Sequence, residues 1–282
     1  MSRLRSQLML IGLLALGGCT HLPSLSSSTS APSLGKEAKE ALRLAHVLRD
    51  NGRLEASYEI YERMDQRQQL SGPYLLEYAS VAATVRPPQE TLALYRRARQ
   101  QLGNDLAPVQ RLTVCSGSGR AYLALGMAKQ AEQEFRCALE SAPNNAQALN
   151  GLGVALNLQH QDGEARKQFE KALEIDPGYN AAVNNLALAW LADGDTTRAI
   201  GLLNQSRNNG NVALQLNLAL AYVLAGHDET AQRVLLEKLQ PERAGKILVE
   251  FQAARDRVSK GAPLASELLA ASQHPFTLHD QD

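Results

Sequence analysis

β-Branched aliphatic residues are scarce in this chain of 282 residues: 12 Val and 5 Ile stand against 47 Leu and 41 Ala. Valine and isoleucine suit pleated sheets, whereas leucine and alanine are good helix formers, so the balance excludes an all-β fold and argues against a parallel α/β one. Net charge is also missing, since 29 Lys+Arg meet 29 Asp+Glu. Without an excess of positive charge there is no electrostatic footprint for nucleic acid, and no nucleic-acid partner is expected. Aromatics make up only 5% and charged residues 21%, yet apolar residues reach 44%. That is enough for a core and excludes wholesale disorder. The apolar run at 8–16 has nine residues, well short of the roughly 20 that a permanent membrane-spanning helix needs.

What is present begins with an unusual N-terminus. Residues 1–18 carry Arg3 and Arg5, no acid, and then the short apolar run, which reads as a signal peptide. Leu16-Gly17-Gly18-Cys19 follows and resembles the bacterial lipobox. The resemblance implies cleavage before Cys19, which would then carry a thioether-linked diacylglycerol and an N-acyl chain, with no other cofactor. Each buried CH₂ contributes roughly 0.8 kcal/mol, so two or more chains hold a protein firmly on its membrane. Lipoproteins kept at the inner membrane commonly have Asp after the lipidated Cys; Thr20 stands there, so the resemblance implies the periplasmic face of the outer membrane. Residues 20–35 hold six Ser and two Pro without helical period, so 19–36 reads as a lipidated Cys and flexible tether.

From 37 to 258 the chain repeats. Ala142-Pro143-Asn144 and Asp176-Pro177-Gly178 lie 34 residues apart. A unit counted from Ala146 places Leu149, Leu152, Gly153, Leu156, Ala165, Phe169, Ala172 and Pro177 at unit positions 4, 7, 8, 11, 20, 24, 27 and 32. These resemble the signature of the tetratricopeptide repeat (TPR). A unit from Leu112 repeats the pattern with Cys115, Gly119, Tyr122, Gly126, Ala131, Phe135, Ala138 and Pro143. Units from Asn180 and Val212 continue it. The start of the latter falls two residues early, so the helix before it must be trimmed, and Asn211 replaces the proline. A unit from Gly72 needs about six extra residues around 103–108, and a degenerate first unit starts at Ala38. Small residues at positions 8, 20 and 27 let two antiparallel helices approach, while large ones at 4, 7, 11 and 24 fill the space between pairs. One unit cannot bury its apolar face alone, so an all-α solenoid of about six helix-turn-helix units with a concave groove is expected. The stripe Ile247, Phe251, Ala254 and Val258 supplies a C-terminal capping helix over 246–258. Residues 259–282 read as a loosely held tail.

No enzyme is expected. The six His are scattered, and the nearest pair, His274 and His279, has no acid or Cys at ligand spacing, so no metal site is expected. Gly117-Ser118-Gly119 lacks the spacing of a nucleophile elbow, and Gly151-Leu152-Gly153 lacks a preceding strand and a third Gly. Close helix packing accounts for both. Cys115 and Cys137 occupy positions 4 and 26 of one unit, at one axial level on its two helices. They are either a disulfide closing a loop of about 23 residues, which would contribute roughly 3 kcal/mol, or two buried thiols.

In this repeat family the first helix of each unit lines the groove with positions 2, 5, 6, 9 and 12. Asn150 and Asn184 fall at position 5, Asn185 and Asn217 at position 6, and Asn157 at position 12, with Leu188 and Leu220 as neighbours. A carboxamide both donates and accepts, so it can pair with the peptide groups of an extended ligand whatever that ligand's side chains. Position 5 otherwise holds Ser116 and Leu216, so the lysine-based two-carboxylate clamp of some TPR domains is not expected. The layout up to residue 258, especially Asn217-Leu218-Ala219-Leu220-Ala221-Tyr222 and Gln240-Pro241-Glu242 before a final helix, resembles the TadD-type lipoproteins of tight-adherence (Flp/Tad) pilus systems. That resemblance implies a pilotin-like assembly factor whose partner is the outer-membrane secretin subunit. An envelope adaptor that docks a peptidoglycan hydrolase or a protease fits the same lipid anchor and solenoid.

Overall fold

The computed structural model describes residues 34–207 and 210–262, together with Leu264 and Glu267. The signal peptide, Cys19, nearly all of the tether and most of the tail lie outside them. Among the described residues there are thirteen α-helices and no strand. They pair as α1 (Lys36–Asp50) with α2 (Leu54–Gln66), α3 (Gly72–Val85) with α4 (Pro88–Leu102), and α5 (Pro108–Ala124) with α6 (Ala128–Ser141). The series continues with α7 (Ala146–Asn157) and α8 (Asp162–Ile175), α9 (Asn180–Ala192) and α10 (Thr196–Gln205), and α11 (Val212–Leu224) and α12 (Asp228–Leu236), and ends in α13 (Pro241–Ser259). Among the described residues no helix is long and apolar enough to cross a membrane.

The repeat register holds through all six pairs. Position 24 is Tyr61, Tyr95, Phe135, Phe169, Leu203 and Leu235, and none of these is more than 2% exposed. Position 8, by contrast, is Ala45, Ala79, Gly119, Gly153, Ala187 and Ala219, each buried and small enough for the facing helix to approach. Phe169 fills the space left by Gly153: a Cβ added there would lie 2.4 Å from the ring. Gly117 and Gly151 serve the unit boundaries in the same way, facing Tyr95 and Phe135 of the preceding pair at 2.1 and 2.4 Å. Close packing thus accounts for both glycine motifs.

In five of the six pairs a left-handed residue ends the first helix, whereas α3 stops at Arg86, extended before Pro87. Gly52, Gly126, Gly194 and Gly226 supply the left-handed residue with φ between 71° and 81°, and in the fourth pair His160 adopts φ 59° instead. As the register requires, α10 has only 10 residues against 14 in α8. Asn211, in place of the usual proline, caps α11 by accepting hydrogen bonds from the backbone N–H groups of Ala213 and Leu214 at 3.0 and 3.3 Å.

Three details differ from expectation. Helix α5 begins at Pro108, one turn before Leu112, because a proline at a helix start gives up no hydrogen bond. Helix α13 likewise starts at Pro241 rather than Lys246. Leu44, at the packing position 7, is 51% exposed, since among the described residues no pair precedes α1 to cover it. At the other end α13 does cover its neighbours: Ala244, Ile247 and Phe251 join the cluster of α11 and α12. Arg255 of α13 donates from Nη1 to Asp228 Oδ1 at 2.5 Å and to the Val223 carbonyl at 3.1 Å, and Gln252 donates to Asp228 at 2.8 Å.

Candidate protein-binding groove

The first helices α1, α3, α5, α7, α9 and α11 carry the groove positions. In the C-terminal half four of the five groove asparagines form one hydrogen-bonded chain across three successive first helices. Asn217 Nδ2 on α11 donates to Asn184 Oδ1 on α9 at 2.5 Å. Asn184 Nδ2 donates to Asn185 Oδ1 at 3.4 Å, and Asn185 Nδ2 donates to Asn150 Oδ1 on α7 at 2.9 Å. Each carboxamide has two N–H donors and two lone pairs, so this chain leaves each of them capacity for a further partner. The side chains are therefore held in place before any ligand arrives, which lowers the ordering cost of binding.

The remaining predicted residues divide. Leu188 is half-buried on α9 beside the chain, and Asn157 is exposed at the end of α7, outside it. Leu220 does not line the groove: it is 3% exposed, because α13 closes over the last pair and takes it into the core.

The N-terminal half holds a cavity that sequence reasoning missed. It measures about 430 Å³ and lies between α1, α3 and α5, with Leu54, Leu76, Val81 and Val109 among its walls and Arg49 and Glu77 at its polar side. Glu77 Oε2 takes hydrogen bonds from Tyr61 Oη at 2.8 Å and His46 Nε2 at 2.5 Å, with Arg49 Nη1 at 3.6 Å. Burial, followed by the hydrogen bond to Glu77, raises the Tyr61 hydroxyl well above the ordinary phenol range, so it stays a donor. The hydrogen bond to Asp50, above all, raises the Arg49 guanidinium. The signal for this site was present in the register: His46, Arg49, Leu76, Glu77 and Ser80 occupy groove positions 9, 12, 5, 6 and 9 of the first two units.

Between the two halves, groove positions of α5 and α7 hold Ser116, Arg120 and Gly151, of which only Arg120 is exposed. Ser116 Oγ is buried without a hydrogen-bond partner among the described residues. Arg120 is exposed and forms no ion pair among them.

Behind the groove, the Sγ atoms of Cys115 and Cys137 are joined as a disulfide between α5 and α6, with Cα atoms 5.9 Å apart. Glu134 lies beside them, and the three side chains bring their ligand atoms within 4.8 Å of one another. The sulfurs are bonded to each other and Arg99 holds Glu134 at 2.5 and 2.9 Å, so in this state the trio is a structural clasp.

Residues 117–180 and 163–213 match the sequence profile of the family described as tetratricopeptide repeat. Anaphase-promoting complex subunit 7 of Arabidopsis thaliana is 33% identical over 144 residues, which cover 51% of this chain and 24% of that protein. The chain thus matches about a quarter of the length of this relative. Among solved structures, a tetratricopeptide repeat protein from Parabacteroides merdae superimposes with a TM-score of 0.59 at 17% identity, covering 86% of this chain and 95% of that one. The pilF protein of Pseudomonas aeruginosa gives 0.57 at 16% identity, with 83% and 96% covered. At such identities the structural likeness carries the fold.

Proposed function

Because the chain is a tetratricopeptide-repeat solenoid, we propose that it is a lipid-anchored scaffold of the bacterial outer membrane that captures an extended segment of a protein partner in its concave groove. The partner is the secretin subunit of a tight-adherence pilus, and the protein acts as its pilotin-like assembly factor. The asparagine chain carries the binding part of this reading. Preset carboxamides with donors and acceptors to spare suit the repeating N–H and C=O groups of an extended backbone. Support for the anchor comes from Leu16-Gly17-Gly18-Cys19, and support for the partner from the likeness of the last unit and final helix to the tight-adherence lipoproteins. Periplasmic exposure suits a chain whose two remaining cysteines are paired.

A pull-down from detergent-solubilised envelope with the native lipidated protein tests the partner. Recovery of the secretin is the expected result, and the Asn185→Ala/Asn217→Ala variant should lose it. Removing those two side chains breaks all three bonds of the chain, at about 1 kcal/mol each, so circular dichroism must confirm that the variant remains folded. Recovery of a hydrolase or protease without a secretin assigns the groove to an envelope adaptor instead. Cys19→Ala should move the protein from the membrane to the soluble fraction, and an unchanged membrane fraction removes the lipid anchor.

A further inference from the structure

Resting on the reading that the groove binds an extended segment, we infer that this segment is acidic and carries a large apolar side chain that seats in the cavity between α1, α3 and α5. The whole chain is neutral, but its groove positions are not: across all six first helices they hold Lys39, Arg43, Arg49 and Arg120 against the single acid Glu77. Arg49 is already matched by Asp50 at 2.9 Å and by Glu77. Lys39, Arg43 and Arg120 are exposed and form no ion pair among the described residues. Lys39, Arg43, His46 and Arg49 follow one another at intervals of three or four residues, which puts them on one stripe of α1. Arg120 stands seven residues after Thr113, a wall residue of the cavity, on the same stripe of α5. A concave face with unmatched positive charge attracts a negatively charged segment and repels a basic one.

The cavity supplies the anchor. Its walls are mainly apolar and open to solvent, and Val109 at the rim is 68% exposed. An aliphatic or aromatic side chain entering it removes that surface from water. All three contacts on Glu77 reach Oε2, so among the described residues Oε1 accepts no hydrogen bond and is open to a ligand N–H. Towards α7, the unused N–H groups of Asn150 continue the polar track from cavity to asparagine chain. Neighbouring helices pack 8–10 Å apart and an extended chain advances about 3.3 Å per residue, so the acid facing Arg120 should lie within about three residues of the anchor.

The test pans a phage-displayed random dodecapeptide library against the full chain and measures one selected peptide by fluorescence anisotropy. The expected peptides combine Asp or Glu with one large apolar residue, and their affinity falls as salt rises. Arg43→Glu and Arg120→Glu, both on exposed surface, should each weaken binding about tenfold by turning attraction into repulsion. Val109→Glu at the rim, or replacing the peptide's apolar residue by Ala, should do the same. Peptides weakened by Asn185→Ala but indifferent to Arg43→Glu, Arg120→Glu and salt overturn the acidic assignment and leave the groove reading standing. Acidic peptides indifferent to Val109→Glu and to loss of their apolar residue overturn the anchor. If the selection yields no peptide sensitive to any of these variants, the groove reading falls, and this inference with it.

Discussion

Gly153→Ala should destabilise the protein although alanine is the better helix former. In an open helix the exchange gains about 0.5–1 kcal/mol, because glycine gives up more backbone freedom on folding. At position 153 the new methyl would lie 2.4 Å from Phe169 Cε1 and 2.7 Å from Cδ1. To restore ordinary contact the ring must move by about 1 Å, and it is only 1% exposed and enclosed by its neighbours. Overpacking of this kind costs roughly 1–3 kcal/mol, which outweighs the propensity gain and leaves a net loss of about 1–2 kcal/mol. For a folded region of this size that lowers the melting temperature by about 3–6 °C. Gly201→Ala is the control: it lies within α10, is exposed, and has nothing within 4 Å of the added Cβ. It should raise the melting temperature by about 1–3 °C. Thermal unfolding followed by circular dichroism at one scan rate compares the two. If they shift together in the same direction, position 8 is not set by the ring opposite it. Phe169→Leu should recover part of the loss in the Gly153→Ala background, since the last two pairs combine Leu203 and Leu235 with Ala187 and Ala219.

His160→Gly should stabilise by up to about 1 kcal/mol, read as a rise of roughly 2–4 °C in melting temperature, because it relieves a left-handed side-chain residue at φ 59°; a fall would mean that the imidazole makes a contact worth more than the strain. Asp228→Asn should loosen the docking of α13 at neutral pH. Hydrogen bonding from Arg255, its largest influence, holds the Asp228 carboxyl below its ordinary value. A carboxyl lowered by folding adds stability that is fully present above its unfolded value near 3.9 and is lost as pH falls through the folded value. Wild type and variant should therefore differ at pH 7 and converge near pH 2; hydrogen exchange over α13 reads the difference, and an equal gap at both pH values would sink this account.

The units were legible because their signature is local. Gly72, Ala146, Asn180 and Val212 begin units in the sequence, and each is the first residue of its helix. What escaped depended on neighbours far along the chain. Leu220 has a groove number, but whether it meets solvent is decided by α13, some twenty residues on. Position numbers likewise put Asn150, Asn184, Asn185 and Asn217 on one face without saying that they would bond to one another. The cavity beside Glu77 is hard to read from sequence because the first unit keeps so little of the signature. Its cluster comes from α1, α2 and α3 together, through His46, Tyr61 and Glu77.

A row of units that touch only their neighbours comes apart from its ends, each pair leaving without waiting for those farther in. The bond between Cys115 and Cys137 changes that for the third pair. Fraying that begins at α13 can run back through the asparagine chain, yet α5 and α6 remain tethered when it arrives. An oxidised molecule would keep α5 and α6 together under heat or mechanical pull, a tethered pair on which units lost from either end could re-form.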